Sequence, residues 1–214
     1  RQFEEACMRN GIPYRIVGGV KFYARREVKD VIAYLYVILN PYDTLSLLRI
    51  LNVPSRKIGQ TTIGKIQAFA SDSNLPLWDA LQRCTHIETL NDPTKTRILK
   101  FVKLIQQLQE RSDVVNVGEL TLEMLDAIDM ESWLRDDTEE GETRWENVQE
   151  LLSVMHKYDT LEPRQSMMSF LEEVALVSEV DKLNEMRDDA LTLMTLHLCK
   201  GLEFDHVMIV GCEE

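Results

Sequence analysis

The sequence predicts a mainly α fold, in which a helical body is inserted into a small α/β piece split between the two ends of the chain. Apolar residues recur at the three- and four-residue spacing of amphipathic helices through most of the 214 residues. Short runs rich in Val, Ile, Leu and Thr, the composition of strands, occur only near the ends, at residues 14–17, 191–195 and 206–210. No internal repeat or low-complexity segment breaks this plan. Residues 1–24 and 190–214 are therefore assigned to the α/β piece, and residues 25–189 to the helical body.

The elements follow in order. Tyr14-Arg15-Ile16-Val17 reads as the first strand, closed by Gly18-Gly19. A strong helix is expected at residues 27–39 and must stop at Asn40-Pro41, because proline lacks the backbone donor and clashes with the preceding turn. Asp43 is placed to cap a second helix carrying Leu45, Leu48, Ile50 and Leu51. Further helices are expected at residues 61–71, 77–87, 94–111, 117–130, 143–158 and 163–178, the last with Pro163 in its first turn. Residues 135–142 (RDDTEEGE) read as an acidic surface loop. The two crossings between piece and body, at Gly18-Gly19 and at the polar stretch 180–189, are expected to act as hinges about which the body turns as a rigid unit.

Composition narrows the function. A content of 44% hydrophobic and 28% charged residues is ordinary for a globular chain large enough to bury a real core. The longest apolar run, residues 31–39, is too short to cross a bilayer, so no membrane partner is expected. Cys7, Cys84, Cys199 and Cys212 are widely spaced with no CxxC pair, which reads as reduced cysteine in a cytoplasmic protein with neither a disulfide framework nor a metal site. The chain starts at Arg1 inside a helical pattern and ends close behind an apolar run, so it is expected to be part of a longer polypeptide.

A net charge of −12 excludes a protein that coats nucleic acid with its whole surface. The distribution matters more than the sum. Residues 44–71 contain no Asp or Glu, where an even spread of the chain's 36 acids would put about five, and they carry Arg49, Arg56, Lys57 and Lys65. Within that window, VPSRKIGQTTIGKI (residues 53–66) resembles a helix-hairpin-helix element, whose hairpin reads Gly-hydrophobic-Gly with Thr three residues on. Lys57 replaces the first glycine; Ile58, Gly59, Thr62, Lys65 and Ile66 fit. Such a hairpin presents free N–H groups and the positive end of a helix dipole to a phosphate. Arg56, Lys57, Ile58, Gly59, Thr62 and Lys65 are therefore the candidate contacts to a duplex backbone, without base reading. The alternative is an ordinary corner between helices. Gly59-x4-Gly64-Lys65 also imitates a phosphate-binding P-loop, but Ile66 stands where the Mg²⁺-ligating hydroxyl belongs, and no buried strand precedes it.

The most specific pattern lies at residues 193–214. Leu193-Met194-Thr195-Leu196-His197-Leu198-Cys199-Lys200-Gly201-Leu202-Glu203-Phe204, followed by Val207-Met208-Ile209-Val210-Gly211-Cys212-Glu213-Glu214, resembles motif V of UvrD/Rep-like superfamily 1 DNA helicases. The N-terminal stretch agrees. Arg1, Glu4 and Glu5, then GIPYRIVGG (residues 11–19), Lys21-Phe22-Tyr23 and Arg25-x-Glu27-Val28-Lys29-Asp30 resemble the segment after motif IV of that family. The resemblance implies a partial RecA-like second motor domain carrying the helical insertion, within an ATP-dependent helicase that unwinds duplex DNA in repair or replication. It implies single-stranded DNA contacts at Thr195, His197 and Lys200, and nucleotide contacts at Arg1, Gly201 and Glu203. ATP and Mg²⁺ are the implied cofactors of the whole enzyme. DNA, single-stranded and duplex or junction, the remaining domains of the same polypeptide and repair or replication proteins are the implied partners. The P-loop, the Walker B acids and the motif VI arginine have no match in these residues, so no catalytic residue and no ATP hydrolysis is expected of this segment alone. Arg144-x-Glu146-Asn147-Val148 also resembles a family signature, read as an Arg–carboxylate tie between helices. Two readings from other classes stand beside this one, a non-enzymatic helix-hairpin-helix DNA-binding module and an all-helical adaptor for protein partners. Neither needs the strand and TxHxxKGxEF unit.

Overall fold

A computed structural model describes residues 3, 6, 7, 10–16, 21–185 and 190–210. It is mainly helical and divides into two compact units, one formed by Tyr23–Leu176 and the other by Arg1–Phe22 with Val177–Glu214.

The unit Tyr23–Leu176 is built around α1 (Arg26–Leu39), whose Val28, Val31, Ile32, Tyr34, Leu35, Val37 and Ile38 are all buried. A helix apolar on nearly every side has to be surrounded. It packs against α2 (Thr44–Ile50), α5 (Asp92–Ser112) and α8 (Glu139–Met155). Asn40 ends α1 by donating its N–H to the Tyr36 carbonyl at 2.8 Å, and Pro41 follows. Asp43 Oδ1 then accepts from the N–H groups of Leu45 (3.1 Å) and Ser46 (3.3 Å), capping α2 as its sequence position predicts. α3 (Gln60–Asp72) and α4 (Leu77–Gln82) pack on each other, and α4 packs on α5. Asn91 caps α5 through Thr94 N–H (2.9 Å), and Asn116 caps α6 (Val117–Ala127) through Glu119 N–H (2.9 Å). Each such cap stabilises by about 1 kcal/mol. A short α7 (Met130–Leu134) precedes α8, and α9 (Pro163–Glu185) runs past the end of this unit in sequence.

Several boundaries differ from the sequence expectation. The helix expected over residues 77–87 stops at Gln82 and resumes as a 3-10 turn at Cys84–His86. The one expected over residues 117–130 breaks at Ala127, because Asp129 adopts a left-handed φ of 53°. The acidic loop is shorter than expected: α8 begins at Glu139, with Thr138 Oγ1 accepting from Gly141 N–H at 2.9 Å. Its first turn holds Glu139, Glu140 and Glu142, charges that the helix dipole favours there. Gly141 is fixed by space, since a Cβ at that position would lie 2.4 Å from Asp136 Oδ1 and 2.8 Å from the Leu134 carbonyl oxygen.

The tie expected of Arg144 is also redistributed. Arg144 pairs with Asp136 (3.5 Å) and with Glu140 one turn back on its own helix (3.6 Å), as i,i+4 spacing favours. Asn147 joins the helices instead: its amide donates to Glu27 Oε1 of α1 at 2.6 Å, and its carbonyl accepts from Arg25.

In the other unit, β1 (Tyr14–Ile16) pairs in parallel with β2 (Leu191–Leu193), in the register Tyr14↔Leu191, Arg15↔Thr192, Ile16↔Leu193. Arg15 Nε donates to Thr192 Oγ1 at 2.8 Å, and Leu191 N–H to the Pro13 carbonyl at 2.8 Å. Residues 206–210, expected as a strand, are irregular, and Val207, Met208, Ile209 and Val210 are exposed. Strand propensity is expressed only where a ladder partner is present, and among the described residues the β1–β2 pair is the sheet. Of the expected hinges, Gly18, Gly19 and residues 186–189 lie outside the described residues, while residues 180–185 continue α9.

Candidate nucleic-acid interface

The acid-free window folds as α2, a loop and α3. Ile58 is fully buried and anchors the loop, with Ile63 and Ile66 of α3 buried behind it. Asn52 Oδ1 accepts two loop N–H groups, from Arg56 (2.8 Å) and from Ile58 (3.0 Å), which clamps the chain into a tight hairpin. Lys57, where the helix-hairpin-helix pattern has its first glycine, sits at φ 59°, the left-handed region that glycine enters at least cost. Its side chain is exposed at the tip.

Gly59 is the N-cap of α3 and supplies no side-chain acceptor; its carbonyl takes Thr62 N–H (2.9 Å) and Ile63 N–H (3.0 Å). A Cβ at Gly59 would meet nothing within 4 Å, so packing within the chain does not demand glycine, and the space before the helix end is open. Gly64 and Lys65 lie inside α3, so the P-loop-like spacing forms a helix and not a loop that could wrap phosphates.

The four cations of the window divide into two kinds. Arg49 pairs with the buried Asp30 at 2.7 Å and donates to the Arg26 carbonyl at 3.1 Å. Arg56, expected to face a duplex, turns inward. Its Nη1 donates to the carbonyls of Ile50 (3.1 Å), Val53 (2.8 Å) and Pro54 (3.3 Å), and its Nη2 to the Tyr34 hydroxyl. The guanidinium also lies over the Phe101 ring, 5.1 Å from its centroid, and over Tyr34 at 5.9 Å. The Tyr34 hydroxyl donates onward to the Val53 carbonyl. Burial pushes the Tyr34 phenol up to about 12, against the opposing pull of Arg56. Arg56 therefore holds the hairpin in shape, because the turn leaves carbonyls that a forked donor satisfies. Ile58, also expected at the duplex contact, has its side chain in the core, and its N–H donates to Asn52 Oδ1. Lys57 and Lys65 remain exposed, Lys65 Nζ resting 2.7 Å from the Thr89 carbonyl oxygen, and Thr62 is half-buried beside them.

Sequence reasoning missed Tyr34 and Asn52 in this assembly. A polar side chain four residues before Arg56 was a visible signal for Asn52; nothing in the spacing marks Tyr34, 22 residues away. It also missed an open cleft of about 490 Å³ beside the hairpin, lined by Ser55, Arg56, Lys57, Arg97, Lys100 and Phe101 among others.

The second candidate region follows β2. Thr195 lies two residues beyond the strand, and its carbonyl accepts from Leu198 N–H (3.0 Å) and Cys199 N–H (3.2 Å), which opens a turn. Leu202 N–H donates to the Cys199 carbonyl at 3.0 Å, and Gly201 holds φ 84°, a conformation side chains resist. Thr195, His197, Lys200, Gly201 and Glu203 are all exposed on this segment, and Lys200 and Glu203 have no ion-pair partner among the described residues. Arg1 lies outside the described residues. Among the described residues no cluster of three or more His, Cys, Asp or Glu is placed to hold a metal ion, and no helix is long and apolar enough to cross a membrane.

The whole chain, residues 1–214, matches the family model described as "UvrD-like helicase C-terminal domain". It is 36% identical over 220 residues to the ATP-dependent DNA helicase PcrA of Bacillus subtilis (strain 168), covering 100% of the chain and 30% of that relative. It is 38% identical over 217 residues to the ATP-dependent DNA helicase PcrA of Staphylococcus aureus (strain Mu50 / ATCC 700699), covering 100% of the chain and 29% of that relative. The chain thus spans under a third of the length of these curated relatives.

Proposed function

Because this chain belongs to the UvrD-like helicase C-terminal domain family, we propose that it serves an ATP-dependent DNA helicase as a duplex-gripping insertion carried on part of the second motor domain. Residues 25–189 would be the insertion, and residues 1–24 and 190–214 the flanking RecA-like portion. The observation that carries the duplex role is the hairpin: an exposed Lys57 in a left-handed turn beside the open N-terminus of α3. That geometry suits a helix-hairpin-helix contact, in which backbone N–H groups and the helix dipole meet a phosphate oxygen. Gly59 leaves room for the phosphate, while Lys57, Lys65 and the Thr62 hydroxyl line its approach.

The segment after β2 would meet the other strand type. Thr195, His197 and Lys200 suit the phosphates of single-stranded DNA, and the Glu203 carboxylate can accept from a ribose hydroxyl. Gly201 leaves the backbone free to lie close to a nucleotide. DNA contact and nucleotide contact on one short segment would couple ATP hydrolysis to strand movement. The exposed Glu203 and Gly201 fit one wall of an ATP site; ATP with Mg²⁺ would supply the free energy of translocation, and the triphosphate-cradling P-loop has no counterpart among these 214 residues. Repair or replication of DNA, in the cytoplasm, is the setting this reading implies. Rotation of the helical body about the crossings at Gly18-Gly19 and at residues 180–189 would bring the hairpin onto or off a duplex.

The test is duplex binding by fluorescence anisotropy across a salt series. A few backbone contacts give a log–log slope of roughly 2 to 4 with slight sequence preference. Lys57→Glu with Lys65→Glu should weaken binding to every duplex alike. Wild-type affinity in that double variant would reduce the hairpin to a structural corner. A steady-state ATPase assay on the chain should show no turnover, with or without single-stranded DNA, because phosphoryl transfer needs the missing P-loop.

A further inference from the structure

The hairpin is one side of a larger basic surface. The cleft of about 490 Å³ beside it has Ser55 and Lys57 on the hairpin rim, and Arg97 and Lys100 on α5 facing them across a floor that includes Phe101 and Ile128. Arg56 also borders it, and no acid belongs to the lining. Arg97 and Lys100 are three residues apart on α5 and so share a face. Arg49, Arg111, Arg135, Arg144 and Lys157 pair with carboxylates. Lys57, Arg97 and Lys100 do not, since none of them has an ion pair or hydrogen bond among the described residues. Three unneutralised cations around one open cleft raise the local potential where an anion can reach them.

We propose that this cleft is a second phosphate-backbone subsite, in which Arg97 and Lys100 take phosphodiester groups of the same duplex that meets the hairpin. The inference rests on the duplex reading of the hairpin and extends the contact from one helix end to two elements of one unit. Lys57 is shared by both, so a backbone following the hairpin rim runs into the cleft without leaving positive charge. Apolar floor residues such as Phe101 and Ile128 are already buried, which leaves the cationic rim as the part that recognises a ligand. An acidic protein segment carrying an apolar anchor would instead need that floor.

The experiment uses the full chain, a short blunt fluorescein-labelled duplex and the double variant Arg97→Gln/Lys100→Gln. Lys100 is exposed, Arg97 is half-buried, and neither holds a hydrogen bond or ion pair among the described residues, so helicity and unfolding midpoint should match the wild type. Loss of two phosphate contacts should lower the salt slope by about 1.8, so that raising salt from about 50 to about 200 mM costs the variant roughly twelvefold less affinity than the wild type. Lys100→Gln alone should give about half that change in slope. An unchanged slope in the double variant, with binding still lost in Lys57→Glu/Lys65→Glu, overturns the cleft and leaves the hairpin reading standing. No duplex binding by the wild-type chain overturns both. A Glu-rich peptide carrying one Phe that binds wild type but not Arg97→Gln/Lys100→Gln, with duplex affinity equal in the two, assigns the cleft to a protein partner and also overturns the proposal.

Discussion

The α2–α3 hairpin and the segment after β2 are both short connections with a residue in the left-handed region and exposed cations, yet they are held in different ways. In the hairpin, Asn52, Arg56 and Tyr34 satisfy the loop's N–H and carbonyl groups, and Ile58 pins it to the core. After β2 the hydrogen bonds among the described residues are backbone turns alone, and every residue named as a contact is exposed. The first region is pre-shaped before any ligand arrives, so it would lose little conformational freedom on binding. The second presents side chains on a turn whose fixed points among the described residues are Thr195, Cys199 and Gly201. Stability and binding should therefore be entangled in the hairpin and separable after β2.

The sharpest way to break that contrast is Arg56→Met. Three carbonyls and the Tyr34 hydroxyl would lose their shared donor, which should destabilise the chain by roughly 3 kcal/mol in urea unfolding. A change under roughly 0.5 kcal/mol would mean that the inward network holds nothing. Next comes alkaline pH. The Tyr34 phenol is pushed up to about 12 in the folded state from an ordinary 10.0, so its contribution to stability is complete below pH 10 and is lost as pH rises towards 12. That shift corresponds to roughly 2–3 kcal/mol. Tyr34→Phe should flatten the loss, read as the urea midpoint at successive pH values; an equally steep loss in the variant would remove Tyr34 from the account.

A smaller effect of opposite sign is expected at the hairpin tip. Lys57→Gly restores the residue that the pattern and φ 59° both favour, and should stabilise by roughly 0.5–1 kcal/mol while lowering the duplex salt slope by about 1. Stabilisation with an unchanged slope would show that the tip sets shape only. The smallest stability effect belongs to the segment after β2. His197→Ala and Lys200→Ala should stay within roughly 0.5 kcal/mol of wild type while weakening single-stranded DNA binding; larger destabilisation would show internal contacts there.

The helical body was legible because its apolar spacing, the Asp43 cap and the prolines at residues 41 and 163 are local signals. Boundaries at Gln82, Ala127 and Glu139 were missed, since each turns on one backbone angle or on a cap competing with an acidic run. The hairpin could be recognised by residue type, but the directions of its side chains could not. Arg56 and Lys57 are neighbours with the same charge, and only the fold decides that one faces carbonyls and the other solvent. Arg97 and Lys100 were invisible for another reason: they lie on a different helix, in a stretch of ordinary charge, and reach the hairpin only through packing. Residues 206–210 show the reverse error, a strand composition with no ladder to join.

The three-rung parallel ladder has a kinetic consequence. Arg15 and Thr192 meet across 177 positions of chain, with the whole of Tyr23–Leu176 between them. Closing so long an excursion through unstructured chain is entropically slow, and three rungs return too little to drive it. A body with its own core shortens that excursion by folding first, so the ladder should be the last element to assemble. On a ribosome, β1 emerges ahead of the whole of Tyr23–Leu176 and waits for β2 behind it, which makes β1–β2 pairing a marker that the helical body has been synthesised.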